Sequence, residues 1–385
     1  MKRIVTIILL LVSFTFVSPS QGIDNDNFVV THGPWLQNLT STGVTIAWTT
    51  NKPAIPGISI ISPDGSKKFI RNSHYGNVDG GGTEHKVRVE GLMPGTSYKY
   101  ALNSVQVLKY QAYRVYYGDT LAGKKITFIT PPAKSDKVTF TIFNDVHELS
   151  GKMGSYLRHN NIPSQDFYFF NGDMINYLQE TEQLYSGFID TAVFHFASVK
   201  PFCYIRGNHE ARGYAARDLK NHFDYKDDRF YYSFDRGPVH FVVLDCGEDK
   251  PDNSKEYFGL SDFDSYRKEE LEWLKNEVKS EAFKKAVHRI VMIHMPVVKE
   301  EKQNHAMTWL SANFGPLLRD AGVEMVFSAH THKNTYYEKD KSGYGYALLV
   351  NSNNSFVEVE ADNLRIKAVV KDIDGKVMAE YEVNK

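Results

Sequence analysis

Two patterns of apolar and polar positions divide the chain. From Phe28 to Thr130, short runs of alternating β-branched residues are interrupted by turn residues. Val44-Thr45-Ile46-Ala47-Trp48-Thr49, Gly57-Ile58-Ser59-Ile60-Ile61 and Lys86-Val87-Arg88-Val89 read as strands, and Pro63-Asp64-Gly65 and Gly80-Gly81-Gly82 break them. No helical period intervenes, so this stretch predicts an antiparallel β-sandwich of about 100 residues. Pro131-Pro132-Ala133-Lys134-Ser135-Asp136 reads as the linker that closes it. Beyond the linker, apolar strands (Val138–Phe143, Phe167–Phe170, Phe202–Ile205, Val239–Leu244, Ile290–Ile293 and Met325–Phe327) alternate with amphipathic stretches. The clearest of these is Ser265–Ser280, where Leu271, Leu274 and Val278 recur at helical spacing among charges. That alternation predicts an α/β layered architecture. From Tyr344 onward the pattern returns to strands (Phe356–Glu360, Leu364–Val370, Val377–Val383), which are expected to pair with the same sheets.

Composition narrows the classes. At 385 residues, two domains are the expectation. Apolar residues at 42% and charged residues at 24% exclude a disordered or collagen-like chain. A net charge of −1 removes the basic field of an extended nucleic-acid binder. The two cysteines, Cys203 and Cys246, cannot build a disulfide framework; lying in or just after apolar strands, they are expected to be buried free thiols. Lys2 and Arg3 precede an apolar-dominated run from Ile4 to Val17, followed by Ser18-Pro19-Ser20-Gln21-Gly22. That run falls short of the ~20 residues needed to span a bilayer, so residues 1–22 are expected to be a cleaved signal peptide. The protein is then expected to be secreted or periplasmic, with no membrane span after cleavage.

The chemistry follows the strands. After five of the six come Asn144-Asp145-Val146-His147, Asn171-Gly172-Asp173, Arg206-Gly207-Asn208-His209-Glu210, His294-Met295-Pro296 and Ser328-Ala329-His330-Thr331-His332. Ligands of open α/β sheets bind at the carboxyl ends of strands, so one sheet edge should collect Asp, Asn and His side chains. Five of the fourteen histidines lie in these loops. Oxygen and imidazole donors without thiolate suit Zn, Mn or Fe, and one carboxylate can bridge two ions. Asp-x-His and His-x-His are expected to place both side chains on one side of an extended segment. Each motif alone is weak, since Asp and Asn also cap helices; the set of five in this order is specific.

Asp145-x-His147, Gly172-Asp173, Gly207-Asn208-His209-Glu210, His294 and His330-x-His332 resemble the signature of the calcineurin-like metallophosphoesterase superfamily, over roughly Val138 to Lys333. Gly91-Leu92-Met93-Pro94-Gly95-Thr96-Ser97-Tyr98 resembles a turn of fibronectin type III-like domains, and the order of the two regions is similar to that of purple acid phosphatases. The resemblance implies a fibronectin type III-like sandwich over residues 28–131 and a metallophosphoesterase domain over 137–385, with two mixed β-sheets flanked by helices. It implies two divalent or trivalent metal ions (Fe, Zn or Mn), one held by Asp145, His147 and His332 and the other by Asn208, His294 and His330. Asp173 would bridge them and His209 would donate a proton. The implied activity is hydrolysis of small phosphate esters by a two-metal-activated hydroxide. Monoesters are the favoured substrates; a phosphodiesterase, or a binding protein with a vestigial metal site, are the alternatives. The leading domain is expected to contact protein or glycan.

Two positions depart from the pattern. The third residue after the bridging Asp, a colour-giving tyrosine in purple acid phosphatases, is Asn176, with Tyr177 one place later, which implies a colourless site. Ala329 stands where a glycine usually precedes His-x-His. Arg206, Arg212, Asn304 and His305 read as solvated loop polar groups, and Trp35 and Trp48 as sandwich core.

Overall fold

The computed structural model describes residues 27–385; the expected signal peptide, residues 1–22, lies outside the described residues. No helix among them is long and apolar enough to cross a membrane.

The leading region is all β. Trp35–Gln37, Gly43–Ile55 and Gly82–Glu90 pair antiparallel, as do Ile58–Ile61 with Lys67–Ile70. The long strand Ser97–Gln111 joins the two groups. Its first half pairs with Ile58–Ile61 and Ile126–Ile129, its second with the end of Gly43–Ile55 and with Arg114–Ala122. Alternation then puts Ile46, Trp48, Ile58, Ile60, Val87, Val89, Tyr100 and Phe128 into one apolar core.

Trp35 departs from expectation. Its ring lies 6.1 Å from that of Tyr185 and it belongs to a core of the following region, because its strand lies against that region: Leu36 bridges Pro201. Tyr100 Oη donates to Ser198 O (2.8 Å) and Lys86 Nζ to Phe223 O (2.9 Å), so the sandwich is hydrogen-bonded onto the α/β layers.

Those layers contain two six-stranded sheets. In the first, Phe202–Ile205, Phe167–Asn171 and Lys137–Phe143 run parallel, and Ser355–Asp362, Arg365–Asp372 and Val377–Asn384 continue antiparallel. In the second, Val239–Val243, His288–Met292, Met325–Ser328 and Ala347–Val350 are parallel, with Tyr232–Arg236 and Thr335–Tyr337 antiparallel at the edges. The parallel strands of both sheets are buried on both faces, which is why they read as nearly continuous apolar runs, whereas the antiparallel tail strands alternate buried and more exposed positions. Phe167 and Phe169 pack between the sheets with Phe140, Phe241 and Phe327. Tyr168 and Phe170 face outward onto the helical segment 182–197. The second sheet is covered outside by helices Phe263–Glu277 and His305–Asp320. The six expected strands and the amphipathic helix are therefore present with ends shifted by at most three residues, and the tail completes the first sheet. Both cysteines are free.

Candidate metal centre

Five parallel strands, three from the first sheet and two from the second, end at one edge, and their loops are tied to one another by backbone hydrogen bonds. Asp145 N donates to Gly172 O (3.0 Å), His147 N to Asp173 O (3.1 Å) and Ala329 N to His294 O (2.8 Å). This lattice forces a correction. Asp145, His147, Asp173, His330 and His332 have φ of 49°, 51°, 52°, 68° and 58°, left-handed rather than extended backbone. The side chains still converge, but on sharp turns whose cost of about 1–3 kcal/mol per residue is borne by the surrounding hydrogen bonds.

The structure brings all the expected residues to this edge. Donor atoms of Asp145, His147 and His332 lie within 4.8 Å of one another, and so do those of Asp173, His294 and His330. His332 Nε2 stands 3.2 Å from Asp145 Oδ1 and from His147 Nε2. In the other group His294 Nδ1 donates to Asn171 O (2.8 Å), which turns its Nε2 to Asp173 Oδ2 at 3.1 Å. Asp145 Oδ1, Asn208 Oδ1 and His294 Nε2 are buried without a hydrogen-bond partner. Converging buried acceptors repel unless a cation lies among them, so the donor set fits metal ions. The carboxylates favour positive charge among these groups. Burial opposes charge on His294, yet the carboxylates of Asp173 and Asp145 push it up to about 10; burial and the neighbouring His294 push His330 down to about 4.

His209 sits beside the two groups. Its Nδ1 donates to Asn176 O (2.7 Å) and its Nε2 lies 3.9 Å from Asp173 Oδ2. Asn176, where a tyrosine would stand in purple acid phosphatases, donates through Nδ2 to His147 O (3.2 Å), while Tyr177 is exposed.

Several residues were under-read from sequence. Glu210 is fully buried and accepts from the N–H groups of Gly207 (2.8 Å), Asp173 (2.9 Å) and Met174 (2.7 Å), so it locks the Asp173 loop to the Asn208 loop. Its place in Asn-His-Glu was the available signal. Asn144 Nδ2 donates to Asp145 Oδ2 (2.7 Å), and Asn144 Oδ1 accepts from Asn351 (2.6 Å), so a tail residue helps aim the first carboxylate. Arg206 is not solvated: it is buried, pairs with Asp245 and lies over the Phe230 ring. Asn304 caps helix His305–Asp320 through Met307 N (2.8 Å), and its Nδ2 lies 3.2 Å from His330 Nε2.

The calcineurin-like phosphoesterase family matches the chain over residues 138–334, about half its length and the segment that carries all five loops. The chain belongs to that family. Among curated proteins it is 28% identical to purple acid phosphatase 22 of Arabidopsis thaliana over 272 residues, covering 65% of this chain and 57% of the relative. It is 24% identical to purple acid phosphatase 18 of the same plant over 233 residues, 57% of this chain and 48% of the relative. The chain thus matches about half the length of these relatives. Among solved structures, a purple acid phosphatase from yellow lupin (Lupinus luteus) seeds superposes with a TM-score of 0.68 at 15% identity, covering 91% of this chain and 74% of that one. PhoD superposes with a TM-score of 0.59 at 13% identity, covering 91% and 89%. At these identities the two structures share the fold of this family member.

Proposed function

We propose that the chain is a dinuclear metal-dependent phosphoesterase that hydrolyses small phosphate esters, monoesters in preference to diesters. The observation that carries this reading is the pair of donor groups at one sheet edge, with buried atoms of Asp145, Asn208 and His294 unpartnered among them. Asp145, His147 and His332 would hold one ion, Asn208, His294 and His330 the other, and the Asp173 carboxylate would be shared. When bound, two Fe, Zn or Mn ions would acidify water and polarise the phosphoryl oxygens. The chain's own part is to aim these donors and to hold His209 with Nε2, the atom that would carry the proton during turnover, toward the site, an orientation set by the Asn176 carbonyl on the far side of the ring. From there the proton passes to the departing ester oxygen, a contribution of typically ~10²–10⁴-fold.

The monoester preference is supported by the phosphatase relatives. Measuring metal content together with turnover of an aryl phosphate monoester and the matching diester tests the reading. Two ions per chain with monoester turnover is the expected result; two ions with no turnover of either ester would favour a binding protein.

The same proposal includes export through residues 1–22, on the strength of the run Ile4–Val17, and a secreted or periplasmic location. It includes the division at the 131–136 linker, with a fibronectin type III-like module ahead of it that contacts protein or glycan.

A further inference from the structure

Arg212 follows the Asn208 loop by four residues, and in sequence nothing separates it from an arginine that waves in solvent. In the structure it is held. Its Nε donates to Glu248 Oε1 (2.7 Å), and its Nη2 donates to Glu248 Oε2 (3.0 Å) and Asp249 Oδ1 (3.2 Å). Glu248 is 1% exposed, and its Oε2 also accepts from Tyr257 Oη (2.8 Å). Asp249 is fixed in turn, its side chain by Lys250 Nζ (3.1 Å) and its carbonyl by Ala306 N (3.2 Å) at the start of helix His305–Asp320. The guanidinium fork is therefore clamped along its Nε/Nη2 edge. Its other nitrogen, Nη1, donates to His209 Nε2 (3.3 Å), the ring atom that faces Asp173, and has a second N–H beyond that bond.

A carboxylate pair on the far edge keeps the guanidinium charged and immobile, and leaves its near edge to the site. A planar cation presented this way matches a phosphoryl group, and the ordering cost of holding the side chain is met before substrate arrives. The charge of the substrate makes this selective. A phosphate monoester near neutral pH carries close to two negative charges on three terminal oxygens, and a diester carries one on two.

We propose that Arg212 is a substrate-contacting residue whose Nη1 donates to a terminal phosphoryl oxygen, with Glu248 and Asp249 as the positioning residues that aim it. The site thereby favours dianionic monoesters. This rests on the phosphoesterase reading above and names the residue that would give it its monoester preference.

The test uses the full metal-loaded chain and reads metal content, kcat and KM for an aryl phosphate monoester and the matching diester, and inorganic phosphate affinity by calorimetry. Arg212→Ala should keep both metals, lose ~10–100-fold in kcat/KM on the monoester and less than ~5-fold on the diester, and bind inorganic phosphate at least ~10-fold more weakly. Arg212→Lys, which keeps the charge and loses the fork, should recover part of the monoester loss. Because Arg212→Ala orphans the buried Glu248 carboxylate, Arg212→Ala/Glu248→Gln provides a second variant without that charge, and it should behave alike. Equal losses on both esters would overturn the proposal and leave Arg212 as an orienter of His209; unchanged phosphate affinity would also overturn it. If the unaltered chain turns over neither ester, the hydrolase reading fails, while the phosphate affinity of the variants still decides the contact.

Discussion

The chain buries a histidine in each of its two regions, with opposite results. His85, in the sandwich, donates or accepts one hydrogen bond with Thr50 Oγ1 (2.8 Å) and packs on Trp48; burial pushes it down to about 4. His294, at the edge of the α/β sheets, is as deeply buried, yet Asp173 and Asp145 outweigh burial and push it up to about 10. In the sandwich the buried ring of His85 is met by a neutral hydroxyl and no carboxylate outweighs burial to drive a proton onto it. At the other edge carboxylates gather round the imidazole, and Asp145 Oδ1, Asn208 Oδ1 and His294 Nε2 have no hydrogen-bond partner, an arrangement that favours positive charge. The same contrast runs through the backbone. In the sandwich, left-handed turns fall largely on glycines such as Gly65, Gly76 and Gly91. At the sheet edge they fall on Asp145, His147, Asp173, His330 and His332. Glycine takes that conformation freely; aspartate and histidine take it at a cost, and strain of this kind clusters at functional sites.

The largest expected effect comes from the carboxylate placed between the two donor groups. Asp173→Ala should lose bound metal and at least ~10³-fold in turnover, read by elemental analysis and steady-state kinetics. Retention of two ions per chain would remove Asp173 from the shared position.

His209→Ala separates chemistry from metal binding. It should keep both ions and lose ~10²–10⁴-fold in kcat, and full activity would sink the proton-donor role.

A matched pair of glycines sharpens the contrast between the regions. Gly65 (φ +85°) has no atom within 4 Å of a built Cβ, whereas at Gly172 (φ +81°) the Cβ would meet His294 Nδ1 at 2.5 Å. Gly172→Ala should therefore displace His294, with metal affinity and turnover falling ~10–100-fold. Gly65→Ala should cost only about 1 kcal/mol of stability and leave metal content unchanged. Equal effects would show that backbone strain alone, and not the crowding of a ligand, is what matters at Gly172.

The last effect is a pH dependence of the sandwich. A histidine whose pKa is depressed on folding contributes stability that is present above its unfolded value of about 6.5 and lost as pH falls towards its folded value. Between pH 6.5 and about 4, His85 should remove about 2–3 kcal/mol, and His85→Gln should flatten that part of the denaturation-midpoint profile. An unchanged slope would mean that His85 is not held neutral.

Much of this was legible before any coordinates. Strand periodicity found the six central strands because both sheet faces are buried and the runs are therefore continuously apolar. The five loops were legible because Asp, Asn and His are unusual directly after apolar strands, and all the expected donors meet at one edge. The left-handed turns were not: period-two alternation predicts an extended segment, and only the cross-loop hydrogen bonds from Asp145 and His147 impose the turns. Trp35 was assigned to the sandwich because its neighbours in sequence are there, but its partners come from the helical segment 182–197.

The sequence by itself determined the element order, the layered class, the family signature and the donor types, since each is written in local composition and spacing. Tertiary structure alone decided which edge of each side chain faces the site. Arg206 and Arg212 flank one motif symmetrically in sequence. One is buried on Asp245, away from the chemistry, and the other is clamped by Glu248 and Asp249 beside His209. Those carboxylates stand more than thirty residues away along the chain, and no local pattern in either segment encodes the pairing.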